Sequence, residues 1–318
     1  MRSAQAMPRV RIGTSELEIS RLALGGNVFG WTADKQTSCD ILDAYVEGGG
    51  NVIDLADSYP HWAPGCSGGE SEEIVGHWMR ERGNRSDVVI CTKVGKIPGN
   101  HGLSYSQIIS GIDGSLRRLQ TDYVDLYYCH ADDPRTPLEE TLRALGELIA
   151  AGKVRAIAAS NYTADRLTEA LLVADEIGLP RFCAVQPQYS LVVRDEFEGP
   201  LQDVCERDGL ACLPYWPLAA GFLTGKYDAS APSGARSDTV SQFQTPRNEA
   251  VLNVVRTVAD RHRVAPATVA LAWLLTRPTV AAPIASVSRV EQLPALVAST
   301  RLDLSPEDLA DLEAVSRP

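Results

Sequence analysis

Residues 121–160, TDYVDLYYCHADDPRTPLEETLRALGELIAAGKVRAIAAS, carry one complete strand–helix–strand unit, and their reading decides the fold. The runs 123–129 (YVDLYYC) and 154–159 (VRAIAA) are short and almost continuously apolar. Such runs lack the polar–apolar alternation of a half-exposed strand and suit parallel strands covered on both faces. Between them Leu138, Leu142, Leu145, Leu148 and Ile149 recur at helical spacing and trace one face. Thr136-Pro137-Leu138-Glu139 predicts the helix start, with Thr136 as cap, Pro137 in the first turn and a carboxylate at the third position. Gly152 sits where that helix should stop.

The same pattern extends in both directions. Strand-like runs recur at 21–26, 51–56, 87–92, 182–186, 210–215 and 279–284, which brings the number to eight. Ile108, Ile112, Leu116 and Leu119 predict a helical face one unit earlier, started by a Ser104–Gln107 box, and Gly83 and Gly178 predict two further helix ends. Eight strand–helix units joined by right-handed crossovers close most naturally into a (β/α)8 barrel, a TIM-type α/β fold occupying 1–318 as a single domain, with a doubly wound open sheet as the rival. Residues 10–20 read as a hairpin ahead of the barrel, Ser305-Pro306 starts an extra C-terminal helix, and 226–248 is the one long loop.

Composition narrows the function. With a net charge of −11 and a pI near 5.0, the chain offers no basic face to nucleic acid or to an anionic membrane. The seven cysteines are scattered, form no Cys-x-x-Cys pair, and include Cys91 and Cys129 inside apolar runs, so neither a disulfide framework nor a zinc site is expected. The N-terminal MRSAQAMPRV lacks the apolar core of a signal peptide and no stretch is long and apolar enough to span a bilayer, which points to a cytoplasmic protein.

Active sites of such barrels lie at the carboxyl ends of the strands. Asp54 and then Tyr59 follow the second strand, Lys93 the third and His130 the fourth. Singly, each has a bland reading: a turn cap, a rim aromatic, a structural ion-pair partner, a satisfied core histidine. Four at successive strand ends point instead to one shared mouth. A metal-dependent hydrolase would need clustered histidines and carboxylates, and His61, His77, His101 and His262 fall on loops or helices with no His-x-His.

Gly49-Gly50-Asn51-Val52-Ile53-Asp54-Leu55-Ala56-Asp57-Ser58-Tyr59, Thr92-Lys93, Asp125-Leu126-Tyr127-Tyr128-Cys129-His130 and Ala159-Ser160-Asn161 resemble, in order, the aldo-keto reductase superfamily. Gln186-Pro187-Gln188-Tyr189, Tyr215-Trp216-Pro217-Leu218 and Gly221-Phe222-Leu223-Thr224-Gly225-Lys226 continue the match, which is nearest the bacterial branch similar to potassium-channel β-subunits. The resemblance implies an NAD(P)H-dependent oxidoreductase that reduces an aldehyde or ketone to the alcohol. Tyr59 would be the general acid, tuned by Lys93 and Asp54, and His130 would orient the carbonyl. A lysine ammonium beside the phenol would lower its pKa.

The implied cofactor is NADPH, with NADH as the alternative. Ser160, Asn161 and Gln186 would hold the carboxamide, and Tyr215 would stack on the nicotinamide. Trp216, Pro217, Leu218, Gly221 and Lys226 would line the diphosphate, and Ser286, Ser288, Arg289 and Gln292 the adenosine end, at the start of a helix after the eighth strand. Four positions depart from the family pattern: Trp216 replaces a serine, Ser286 a glycine, and Ala295-Leu296 a Glu-Asn pair. They leave the choice between the two nicotinamides open. Phe29, Trp31, His61, Trp62 and Tyr128 are expected to form an aromatic substrate mouth suited to a cyclic or sugar-like carbonyl, or simply to pack the loops. A non-enzymatic alternative is a redox-sensing subunit that keeps its cofactor and lends its surface to a partner. The absence of an N-terminal extension favours the enzyme.

Overall fold

The apolar runs pair side by side in chain order as one parallel ladder. The computed structural model describes residues 7–227 and 237–317. The expectations for the extreme N-terminus and for 228–236 of the long loop lie outside the described residues. After a hairpin of β1 (Arg9–Arg11) and β2 (Glu18–Ser20) come β3 (Ala23–Gly25), β4 (Val52–Asp54), β5 (Val89–Val94) and β6 (Val124–Cys129). Then follow β7 (Val154–Ser160), β8 (Ala184–Gln186), β9 (Ala211–Cys212) and β10 (Ile284–Ala285). The eight from β3 to β10 form one parallel sheet in which β10 lies beside β3, giving a (β/α)8 barrel.

The eighth strand corrects the sequence reading. The run 279–284 was expected to be one strand, but Pro283 has no N–H to give a ladder and divides it. Its first part serves the β9 edge, with Cys212 N donating to Thr279 O (2.8 Å) and Ala281 N to Cys212 O (2.9 Å). Its second part is β10, which pairs with β3 through Ile284–Ala23 and Ala285–Leu24 while Ile284 N still donates to Pro214 O just past β9 (2.9 Å). This divided run closes the barrel.

Alternate residues of each strand face inward. Cys91, Leu126, Tyr128, Ala156 and Ala158 join an inner cluster that also takes Ile12, Leu17 and Ile19 from the hairpin region, which plugs the amino-terminal end of the barrel. Gly13 makes that plug possible: it has φ +49, and a Cβ there would lie 2.0 Å from Cys183 O. The outward residues form a larger shell with the helices, including Ile108, Ile112, Leu142, Leu145 and Leu148 on the faces read from the sequence.

The helices between the strands are α1 (Lys35–Glu47), α2 (Glu70–Arg82), α3 (Tyr105–Leu119), α4 (Leu138–Ala150), α5 (Ala164–Ile177) and α6 (Pro200–Asp208). They are followed by α7 (Ser237–Ser241), α8 (Pro246–His262), α9 (Pro266–Leu275), α10 (Leu293–Ala298) and the extra C-terminal α11 (Pro306–Ser316). The Ser104–Gln107 box starts α3, and Gly83 and Gly178 end α2 and α5 with positive φ. Thr136 does not cap α4. Pro137 takes that position, and the Thr136 hydroxyl donates to Asp133 Oδ2 (2.9 Å) instead, because that nearby carboxylate is the stronger acceptor. Within the long loop α7 provides one helical turn before α8. Among the described residues no helix is long and apolar enough to cross a membrane, and all seven cysteines are free.

Candidate active site

Asp54 is the last residue of β4, Lys93 the penultimate residue of β5, and His130 the first past β6, so the ladder register alone carries them to one end of the barrel. The Lys93 ammonium is fully buried and uses all three of its donors. Nζ donates to Asp54 Oδ2 (2.6 Å), to Leu55 O (2.8 Å) and to the Tyr59 hydroxyl (3.2 Å). Gln186 Nε2 donates to the other Asp54 oxygen (2.9 Å). Burial works against the Lys93 charge, but Asp54 and Tyr59 together outweigh it and hold the pKa above the ordinary lysine value.

The phenol behaves differently from the sequence expectation. Burial pushes the Tyr59 pKa up by more than Lys93 pulls it down, and the Asp54 charge adds to the rise. Lys93 favours the phenolate but burial outweighs it, so Tyr59 rests as the protonated phenol. Its ring lies edge-on to the His130 imidazole, with centroids 5.7 Å apart. His130 donates its backbone N–H to Val94 O (2.9 Å), and its Nδ1 is buried without a partner. Burial first, and then the charges of Lys93, Lys96 and His61, keep its pKa well below the usual histidine value, so the imidazole is neutral.

Residues expected to hold a carboxamide are linked to one another and to this cluster. Ser160 Oγ donates to Gln186 O (2.9 Å), and Asn161 Nδ2 donates to His130 O (2.8 Å) and Ser160 Oγ (3.0 Å). The Tyr215 hydroxyl donates to Asn161 Oδ1 (3.0 Å). Asn161 is nonetheless exposed and left-handed (φ 55), while Tyr215 is half-buried. Beyond Tyr215 the backbone is strained. Trp216 (φ 51), Ala219 (φ 48) and Ala220 (φ 56) are left-handed although none is glycine, and Gly221 (φ 108) follows. Such outliers persist only where packing over-determines them, and they gather at ligand-binding loops. Here Phe222 and Leu223 anchor the loop in the core.

The Trp216 ring, half-buried, packs edge-on to Tyr215 (6.0 Å) and Phe243 (6.2 Å), and Pro217 and Leu218 are buried. Gly221 is partly buried, and Lys226, which is exposed, places its ammonium 5.0 Å from the Tyr227 ring centroid. At the far end, Ser286 Oγ donates to Asn27 Oδ1 (2.6 Å), Ser288 shares a hydrogen bond with Thr32 (2.8 Å), and Ser288 N donates to Gln292 Oε1 (2.9 Å). Arg289 is exposed. The helix expected there begins as a single 3₁₀ turn, Val290–Gln292, leading into the short α10.

Phe29 and Tyr128 do not reach the mouth. Phe29 is folded into the outer core, where a Cβ on Gly26 would sit 3.1 Å from its ring. Tyr128 belongs to the inward set of β6, and its ring centroid lies 5.8 Å from Lys93 Nζ. Apolar strand residues are read from sequence without their facing, and the barrel interior claimed this one. Trp31, His61 and Trp62 pack together beside Tyr59. Trp62 is 43% exposed and lies edge-on to Trp31 (6.0 Å), His61 (5.3 Å) and Tyr59 (5.5 Å).

Two residues near the site escaped the sequence reading. Asp57 is 1% exposed with neither carboxylate oxygen partnered, and burial, then Glu72, pushes its pKa to about 8. Lys96 lies just past the end of β5. A second lysine just past a strand end was the available signal.

The model of the Aldo/keto reductase family matches residues 21–317. "Protein tas" of Escherichia coli is 35% identical over 96% of this chain and 96% of its own length. "Probable voltage-gated potassium channel subunit beta" of Arabidopsis thaliana is 35% identical over 89% of this chain and 88% of its own. "Norsolorinic acid reductase stcV" of Emericella nidulans is 33% identical over 96% of this chain and 80% of its own. Fold, strand-end cluster and near-complete coverage agree: this chain belongs to the aldo/keto reductase family.

Proposed function

We propose that the protein reduces an aldehyde or ketone to the alcohol with a nicotinamide dinucleotide, NADPH or NADH, and that Tyr59 delivers the proton. The observation that carries this reading is the Lys93 ammonium, 2.6 Å from Asp54 and 3.2 Å from the Tyr59 hydroxyl, opposite a neutral imidazole. Neutral His130 donates a hydrogen bond to the substrate oxygen as negative charge develops on it. Tyr59 then gives up its proton to that oxygen, and Lys93, held in place by Asp54, stabilises the phenolate left behind.

A bound nicotinamide would supply the hydride, which no side chain can. The residues along the mouth fit such a group. Asn161 and Tyr215 stand at the edge of the cluster, the left-handed run at 219–221 presents backbone to a ligand, and the buried Nδ1 of His130 is unpartnered. Ser160, Asn161, Gln186 and Tyr215 would hold the ring end, 216–226 the diphosphate, and Ser286, Ser288, Arg289 and Gln292 the adenosine end. No nucleic acid or membrane is involved on this reading, and the work is cytoplasmic.

The test is Tyr59→Phe. It removes the transferable proton alone, so nicotinamide binding measured by fluorescence should stay within about two-fold while kcat falls about 10²–10⁴-fold. Undiminished kcat would overturn the assignment. The relatives named as channel β-subunits support a second reading, a redox-sensing subunit with little turnover. Oxidation of one equivalent of bound NADPH per chain, without further cycles across a screen of aldehydes and ketones, would favour it.

A further inference from the structure

Lys96 is a cation close to the active site that forms no ion pair among the described residues. It lies in the segment 95–102, which Gly102 N closes by donating to Gly95 O (3.1 Å). Two residues before it, Val94 O accepts the backbone N–H of His130. The next residue, Ile97, packs on the loop that leads away from Tyr59, where a Cβ on Gly68 would lie 3.3 Å from Ile97 Cγ1. Lys96 is thus bracketed between His130 and the Tyr59 loop.

It is partly buried, and among the described residues no carboxylate forms an ion pair with it. Elsewhere the carboxylates of this acidic chain reach cations readily: Lys153 pairs with Asp113 and Arg166 with Asp132. Within the mouth, Asp54 already neutralises Lys93, and His130 is uncharged. Burial, and then the like charge of Lys93, hold the Lys96 pKa below the ordinary lysine value. An ammonium partly withdrawn from water and set beside a like charge gains from an anion that reaches it.

We propose that Lys96 binds a carboxylate carried by the substrate, so that the preferred substrates are carbonyl compounds with a carboxylate on an aromatic body received by the rim of Trp31 and Trp62. This rests on the carbonyl-reductase reading of the same site, and it adds the chemical class that the site selects.

The experiment has a kinetic and a binding arm. With NADPH as donor, 3- and 4-carboxybenzaldehyde are compared with their methyl esters. The wild type should favour the better acid over its ester by about ten-fold or more in kcat/KM, the size expected for one charge-assisted hydrogen bond. Lys96→Met should abolish that preference while leaving the ester within about two-fold, and Lys96→Arg should restore part of it. The binding arm follows quenching of tryptophan fluorescence by benzoate and by benzamide. Tighter binding of benzoate in the wild type, lost in Lys96→Met, supports the anion site whether or not turnover occurs.

Turnover of the esters without an acid preference, and benzoate binding no better than benzamide, would overturn the anion site and leave the reductase standing. Benzoate capture through Lys96 with no carbonyl turned over would overturn the reductase instead. A Lys96→Met variant that weakens NADPH binding and leaves benzoate unchanged would assign the lysine to the cofactor and also overturn the proposal.

Discussion

The two sides of the mouth are held by opposite means. On the β4–β6 side, Asp54, Lys93 and His130 sit at ladder ends in a nearly dry environment, the first two fixed by a charge-assisted hydrogen bond of 2.6 Å and the third by its backbone N–H on Val94 O. On the 216–226 side there is almost no charge, and a left-handed backbone is held down by Leu218, Phe222 and Leu223 in the core. The first side keeps charges where water would otherwise take them. The second keeps a backbone shape that the chain would not adopt alone. A reaction that shifts a proton needs the former, and a large, extended ligand is best met by the latter.

Three substitutions probe this contrast. The largest effect is expected from Lys93→Met, which leaves the Asp54 carboxylate buried with Gln186 as its remaining side-chain donor. Removing one partner of a buried pair costs about 3–5 kcal/mol, read as a lower urea midpoint with unchanged slope. A loss below about 1 kcal/mol would mean that the charged side is not held electrostatically.

Asp57→Asn acts on the same side with opposite sign. Its folded pKa of about 8 stands above the ordinary 3.8, so the folded chain takes up a proton. The stability this group gives is fully present below pH 3.8 and is lost as pH rises through about 8. A neutral amide of the same shape should flatten that decline and stabilise the protein by about 1–3 kcal/mol at neutral pH. The check is Tm against pH in both proteins. A parallel decline would show that Asp57 does not titrate in that window.

On the opposite side, Ala220→Gly relieves a left-handed alanine and should stabilise by at most about 1 kcal/mol, partly offset by glycine's freer unfolded chain. The same change should loosen the loop and weaken NADPH binding about two- to five-fold, measured by fluorescence titration. Tighter binding would mean that the strain hinders the ligand instead of shaping its seat.

Much of this was legible in the sequence where one residue type at one position leaves few options. The apolar runs and helical faces specified the strand–helix units, and Asp54, Lys93 and His130 were legible because a strand end fixes which end of the barrel a residue reaches. Facing was harder to read. Phe29 and Tyr128 are aromatic and near strand ends like Trp31 and Trp62, yet the core takes the first pair and the rim keeps the second. Thr136 carries a capping residue's chemistry, but the nearby Asp133 drew its hydroxyl away. Pro283 was in plain view, and only closure of the barrel revealed that it interrupts the ladder of the last strand.

The sequence by itself determined the α/β barrel, the family and the identity of the titratable groups at the mouth, because periodicity and side-chain chemistry are local properties. The tertiary structure decided which charges cancel. Burial lifts Tyr59 and Asp57, Asp54 neutralises Lys93, and Lys96 has no ion-pair partner among the described residues, since desolvation and pairing depend on what the rest of the chain packs around each group.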